Sequence, residues 1–351
     1  MTVDIDVRTR VFTWFTDRAG VIAISRMSAE DLARARSRRL SHNVVTSRVF
    51  GPMPSDVSLT DLRVDLTGMT GATGDDAAPT TLRVYRPHGP LPGGRRREDG
   101  LPIVLNYHGG GGSLGNLDQS DWLCAWVAAR VGALVVSVDY RLAPEHPYPA
   151  GRDDGYAALV WAVRHAEALG GRADRVAVMG DSAGGNLAAV VAMMAREAGP
   201  AVDAQILIYP VVDLTLDAPS TAAYERGPLL TKADMDVFRA NYLGADGDAT
   251  DPLCSPLLAP DHTGLPRALV LTAQVDPLHD DGVAYAQRLR AAGVPVRHSD
   301  HARAIHGFIT FPGVCRAATV ALGEICDELA VTFGLTSGLA QEDMKSPPLT
   351  E

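Results

Sequence analysis

The sequence predicts an α/β fold: a mostly parallel central sheet flanked by helices, with a helical cap. Three observations carry that reading. From residue 102 onward, short uniformly apolar runs alternate with helical segments. Such runs are strands buried on both faces, and their alternation with helices makes a parallel sheet covered from both sides. One run, Val176 to Met179, leads into the turn Gly180-Asp181-Ser182-Ala183-Gly184 and then a helix over 186–196. Two further helical patterns, at 4–43 and 213–245, fall outside the alternation and are expected to form the cap.

Taken in order, Val7, Val11, Trp14 and Phe15 recur at helical spacing, with Val21, Ile22 and Ile24 less regular. Ser28-Ala-Glu-Asp31 reads as a capping box opening a second helix through Leu40. The arginines at 34, 36, 38 and 39 are expected on its solvated face. Leu62, Val64 and Leu66, then Leu82 and Val84, alternate with polar residues as two antiparallel strands exposed on one face. Loops at 67–80 and 88–100 follow each of them, the second carrying a solvated Arg95-Arg96-Arg97. Buried strands are expected at 102–107, 133–138, 176–179, 205–209, 268–272 and 294–298. Helices are expected at 122–130, 156–168, 186–196, 282–292 and 317–332. Thr231-Lys-Ala-Asp234 is a second capping box, opening a cap helix through Tyr242. The chain thus divides into a helical part of the cap at 1–50, an α/β domain at 51–338 with a cap insertion at about 213–245, and a polar tail at 339–351 expected to be disordered.

At 351 residues and 46% hydrophobic, the chain has enough apolar surface for a large core. Its net charge of −10 argues against nucleic acid and anionic membranes as partners. No basic segment followed by an apolar one opens the chain and no run of 18 apolar residues occurs, so a cytoplasmic protein is expected. Cys124, Cys254, Cys315 and Cys326 are scattered and read as small core residues in a reducing compartment. No metal-ligand spacing such as H-E-x-x-H appears, and no cofactor is implied.

The chemistry gathers on a few motifs. A serine hydroxyl is a poor nucleophile near neutral pH; it needs a base, a group that orients the base, and donors for an oxyanion. Gly180 to Gly184 fits G-x-S-x-G in the strand–turn–helix context that exposes a strained serine, here Ser182, at a helix N-terminus. Tyr107-His-Gly-Gly-Gly-Gly112 follows a buried strand, where glycines let main-chain N–H groups turn toward a ligand. Asp276-Pro-Leu and His306-Gly-Phe308 each follow later strands, so the chain order is Ser, Asp, His. Asp276 precedes Pro277, which restricts it to extended backbone, whereas Asp280 and Asp281 read as residues capping a helix. His298 and His301 read as surface residues.

Together these residues resemble the hormone-sensitive-lipase family of carboxylesterases, the bacterial branch of the α/β-hydrolase superfamily with an HGGG motif and a GDSAG elbow. The likeness covers roughly residues 58–335 and includes His108-Gly-Gly-Gly111, Asp139-Tyr-Arg-Leu-Ala-Pro-Glu-His146, Gly180-Asp-Ser-Ala-Gly-Gly-Asn186, Ser255-Pro-Leu-Leu, Asp276-Pro-Leu and His306-Gly-Phe308. It implies an α/β-hydrolase fold and a Ser182-Asp276-His306 triad. It also implies an oxyanion hole from the N–H groups of Gly110, Gly111 and Ala183, a bracing role for His108, and a pocket lined by Gly112 and Asp181. Two departures stand out. Gly112 replaces a residue that is usually bulky, which would widen the pocket. The segment Asp300-His-Ala-Arg-Ala-Ile lacks the family's usual tyrosine and glycine before the base.

The expected activity is hydrolysis of short- to medium-chain carboxylic esters through an acyl-enzyme. A deacetylase of a secondary metabolite is a close variant, and a non-catalytic ligand-binding protein of the same fold is the alternative from another class. The expected partner is a small-molecule ester, and a homodimer is left open.

Overall fold

The computed structural model describes residues 5–18, 23–69 and 79–335. Val21 and Ile22, most of the 67–80 loop and the polar tail from 339 lie outside the described residues. Helices α1 (Val7–Arg18), α2 (Ala29–Ser37) and α3 (Ser47–Phe50) open the chain. Then come β1 (Val57–Val64), β2 (Thr80–Pro87), β3 (Leu101–Tyr107), α4 (Asp121–Val127) and β4 (Leu134–Val138). They are followed by α5 (Ala150–Arg164), β5 (Gly171–Asp181), α6 (Ala183–Ala198) and β6 (Ala204–Ile208). Helices α7 (Pro219–Ala223) and α8 (Lys232–Leu243) interrupt the alternation, which resumes with β7 (Arg267–Val275), α9 (His279–Ala291), β8 (Val296–Ile305) and α10 (Arg316–Thr332).

The strands form one sheet in the order β1-β2-β4-β3-β5-β6-β7-β8. β2 runs antiparallel to both β1 and β4, and every pairing from β4 to β8 is parallel. Alternate residues feed opposite cores. Leu105, Val136, Val178, Leu207 and Val270 pack with Leu159 of α5, Leu187 and Val191 of α6 and Leu289 of α9. Val104, Val135, Ala177, Ile206 and Leu269 pack on the other face with Trp122 and Leu123 of α4 and Leu322, Ile325 and Leu329 of α10. Burial on both faces is why these strands are largely apolar, with Asn106, Ser137, Gln205 and Thr272 as buried polar exceptions.

Several boundaries move for tertiary reasons. α5 begins at Ala150 rather than 156, through Gly151 and Gly155; the Tyr107 hydroxyl donates to the Gly155 carbonyl at 3.0 Å, and a Cβ at Gly155 would stand 3.3 Å from the Tyr107 ring. β8 runs on to Ile305, so His298 and His301 are strand residues. His301 is buried rather than on the surface, pairing with Glu324. Arg95 is half-buried rather than fully solvated, since its guanidinium donates to the Val131 and Gly132 carbonyls.

Both capping boxes form: Ser28 with Asp31, and Thr231 with Asp234. The two segments outside the alternation meet, because Asp234 also accepts from the Ser25 N–H (3.1 Å) and hydroxyl (2.7 Å). The four cysteines are buried and unpaired. Among the described residues no helix is long and apolar enough to cross a membrane, and no group of three or more His, Cys, Asp or Glu side chains is placed to hold a metal.

Candidate active site

The turn between β5 and α6 holds Ser182 at φ 55°, ψ −118°, a positive φ that costs a non-glycine residue on the order of 1–3 kcal/mol. The positions two residues to either side must be glycine. A Cβ at Gly184 would fall 1.9 Å from the Tyr107 carbonyl oxygen, and one at Gly180 would fall 2.2 Å from that of Gly184. The hydroxyl makes no capping hydrogen bond to its own helix. The Ser182 Oγ lies 2.9 Å from His306 Nε2, and His306 Nδ1 lies 2.7 Å from Asp276 Oδ2. Asp276 directly follows β7 and His306 directly follows β8, at the strand ends where open α/β sheets gather their sites. Asp276 is fully buried, and its other oxygen accepts the Leu278 N–H at 2.8 Å. The structure therefore brings together the three residues that the sequence motifs single out. Asp280 and Asp281 stand in the first turn of α9, and Asp280 accepts the Ser220 N–H of α7. His298 bonds Thr272 instead.

The glycine loop after β3 is held peptide by peptide. The Tyr140 hydroxyl donates to the His108 carbonyl (2.6 Å), and the Gly109 N–H donates to Asp181 Oδ1 (2.8 Å). The Gly109 carbonyl accepts from His108 Nδ1 (2.8 Å), which requires that nitrogen to carry the proton. The Gly110 carbonyl accepts the N–H groups of Ser113 (3.0 Å) and Leu114 (2.8 Å), and the Gly112 carbonyl accepts that of Ala143 (2.8 Å). In a trans peptide the N–H points opposite its carbonyl. Fixing the carbonyls of Gly109 and Gly110 therefore directs the N–H groups of Gly110 and Gly111 the other way, and neither donates to a protein acceptor among the described residues. Gly110, Gly111 and Gly112 all have positive φ (120°, 60° and 66°), which only glycine adopts without cost. Ala183, the first residue of α6, contributes an N–H that has no partner within its helix.

Burial sets the protonation of the surrounding groups. It raises the Asp181 carboxyl to about 6, against the opposing hydrogen bond from the Gly109 N–H. It lowers the pKa of the buried His108 imidazole, which keeps the ring neutral and the Nδ1–H donor in place.

Gly110, Gly111, Gly112, Asp181, Ser182, Ala183 and His306 line one cavity of about 200 Å³, together with the apolar side chains of Leu214, Leu216, Leu230, Met235 and Phe238. The space beside Gly112 is not left open, contrary to the expectation of a widened pocket. A Cβ there would fall 2.8 Å from the Tyr242 ring, and one at Gly111 would fall 2.1 Å from that of Phe238. Two aromatic side chains of α8 thus occupy the room the glycines leave. Sequence reasoning missed both. The capping box locates their helix, but nothing in the spacing says which face it turns to the glycine loop.

A family model described as the alpha/beta hydrolase fold matches residues 104–310. The chain is 47% identical over 229 residues to carboxylesterase NlhH of Mycobacterium tuberculosis, covering 64% of this chain and 72% of that protein. It is 40% identical over 228 residues to ethyl acetate hydrolase of Pseudomonas putida, again covering 64% and 72%. In three dimensions it matches a hyperthermophilic esterase from the archaeon Pyrobaculum calidifontis with TM-score 0.79 and 34% identity, over 93% of this chain and 98% of that one. Fold and site define an α/β hydrolase, and the chain belongs, within that superfamily, to the hormone-sensitive-lipase family of carboxylesterases.

Proposed function

We propose that this carboxylic ester hydrolase cleaves short- to medium-chain esters through an acyl-enzyme formed on Ser182. The observation that carries the reading is the hydrogen-bonded chain Ser182–His306–Asp276 opening onto the same cavity as the N–H groups of Gly110, Gly111 and Ala183. His306 Nε2 takes the hydroxyl proton as Oγ adds to the ester carbonyl. Asp276 keeps the Nδ1–H tautomer in place and stabilises the imidazolium. The carbonyl oxygen becomes an oxyanion facing N–H donors that are already oriented, so little reorganisation is needed as charge develops. His306 then returns the proton to the departing alkoxide. Water, activated by the same imidazole, attacks the acyl-enzyme and releases the acid. The apolar wall from Leu214 to Phe238 supports an alkyl or aryl group as the non-reacting part of the substrate. A ligand-binding role without chemistry would be favoured by a broken triad, whereas all three positions here carry competent groups at bonding distance. The proposed setting is cytoplasmic; light scattering distinguishes a monomer from the homodimer the sequence left open.

A fluorophosphonate should add its mass to the peptide containing Ser182, and Ser182→Ala should abolish turnover of aryl esters. Across acyl chains from acetyl to dodecanoyl, kcat/KM should fall beyond the medium lengths. Labelling at another residue, or turnover surviving Ser182→Ala, would overturn the mechanism.

A further inference from the structure

Of the arginines expected on a solvated face, Arg36 departs from that expectation. Its side chain is 18% exposed, against 66% for Arg34 and 65% for Arg39 on the same segment. From α2 it crosses to the body of the protein and makes three contacts. Nε donates to the Ser113 carbonyl at 2.7 Å, Nη2 donates to the Ala143 carbonyl, and Nη1 pairs with Glu145 at 2.7 Å. Ser113 and Ala143 are the residues whose N–H groups hold the carbonyls of Gly110 and Gly112. The guanidinium thus grips the outer side of the two residues that orient the glycine peptides from within. The same strand of chain is clasped from the other direction: Asn116 Nδ2 donates to the carbonyls of Arg36 and Arg38 at 3.0 Å each, and Asp118 accepts the Leu40 N–H.

We infer that Arg36 is a positioning residue for the oxyanion hole, acting from the N-terminal segment through Ser113 and Ala143 on the N–H of Gly111. The inference rests on the proposed reaction. Its physical basis is the planar fork: a guanidinium presents rigidly spaced donors that tie two carbonyls from different loops, which an ammonium cannot do with the same geometry. Each carbonyl would otherwise hydrogen-bond water and leave its residue free to rotate. Glycines with positive φ have no side chains to hold them, so the loop depends on such outside contacts for its pre-organisation. Glu145 is 55% exposed, so its ion pair contributes little and the two carbonyls carry the effect.

The test compares Arg36→Ala, Arg36→Lys and Glu145→Gln on one short-chain aryl ester, with thermal unfolding measured for each. Losing one direct oxyanion donor typically costs 10²–10³ in kcat, so loosening a donor from outside is expected to cost roughly 10 to 10²-fold in Arg36→Ala, with KM changed less than about threefold. Affinity for a trifluoromethyl ketone, which forms an oxyanion adduct, should fall in the same proportion, while inhibition by the product acid stays unchanged. Arg36→Lys should resemble Arg36→Ala, added ethylguanidinium should restore part of kcat to Arg36→Ala, and Glu145→Gln should behave like the wild type. The inference is overturned if Arg36→Ala lowers only the unfolding temperature, if kcat and product inhibition change together, or if Arg36→Lys retains full kcat. Wild-type turnover in Ser182→Ala would instead sink the underlying mechanism.

Discussion

The glycine loop and elbow at the sheet edge differ in kind from the helix α8 that lies over them. In the first region backbone geometry dictates the residues: positive φ at 110–112 and 182, and carbonyl oxygens within 2.2 Å of where the Cβ atoms of Gly110, Gly180 and Gly184 would be. In the second, Met235, Phe238 and Tyr242 meet the pocket through side chains on ordinary helical backbone. The proposed chemistry is therefore carried by peptide groups and a three-residue relay that tolerate almost no change. Pocket shape is carried by side chains that can be exchanged. Substitutions in the first region should act on kcat, and substitutions in the second on the choice of substrate.

The largest effect should come from the relay. Asp276→Asn, which favours the wrong imidazole tautomer, is expected to lower kcat by roughly 10³ to 10⁴-fold with an unchanged circular dichroism spectrum. Asp280→Asn and Asp281→Asn should each cost less than about tenfold, because neither carboxyl is hydrogen-bonded to His306 or Ser182 among the described residues. The reverse ranking would move the orienting role away from Asp276.

The next effect sharpens the division. Phe238→Ala removes the ring packed on Gly111 and is expected to raise the octanoyl-to-acetyl ratio of kcat/KM by about tenfold, the scale of a one- or two-methylene change in an apolar pocket. Equal changes for both esters would show that α8 does not set chain length. Gly112→Phe, by contrast, must displace Tyr242 at a positive φ and should cost stability rather than tune selectivity.

A third effect is on pH. The Asp281 carboxyl is raised to about 8 by burial and by the nearby Asp213, Asp276 and Asp280 carboxylates. A raised carboxyl is protonated in the fold at neutral pH. The stability it contributes is fully present below its unfolded value and is lost as pH climbs through about 8. Asp281→Asn cannot ionise, so its unfolding temperature should fall less than that of the wild type between pH 5 and 9. Parallel curves would remove Asp281 as the cause.

The smallest effect concerns the Tyr242 hydroxyl, which is buried without a hydrogen-bond partner among the described residues. Removing an unpaired buried polar group is neutral or stabilising. Tyr242→Phe should keep activity within about twofold and hold or raise stability by up to about 1 kcal/mol, as read by urea unfolding.

Read alone, the chain settles the parallel sheet and the elbow and singles out the three residues that the fold joins by hydrogen bonds, because each rests on local rules. Val176 to Met179 is apolar throughout because both faces are covered, and Gly180 and Gly184 are required by contacts within a few residues or with the adjoining strand. The same locality explains both capping boxes, where donor and acceptor stand three residues apart. What escaped the sequence depends on partners far away along the chain. β8 extends to Ile305 although Arg297 to Asp300 is polar, because the strand pairs with β7 on one side only and faces solvent over much of its length. Arg36 resembles its exposed neighbours in every local respect, and only the approach of residues 113 and 143 to α2 makes it a clamp. Phe238 and Tyr242 show the same dependence, since spacing marks a helix while the docking of that helix decides which side chains meet the glycines. Short-range sterics and hydrogen bonding are written in residue order, whereas the fit between distant surfaces exists only once the chain has folded.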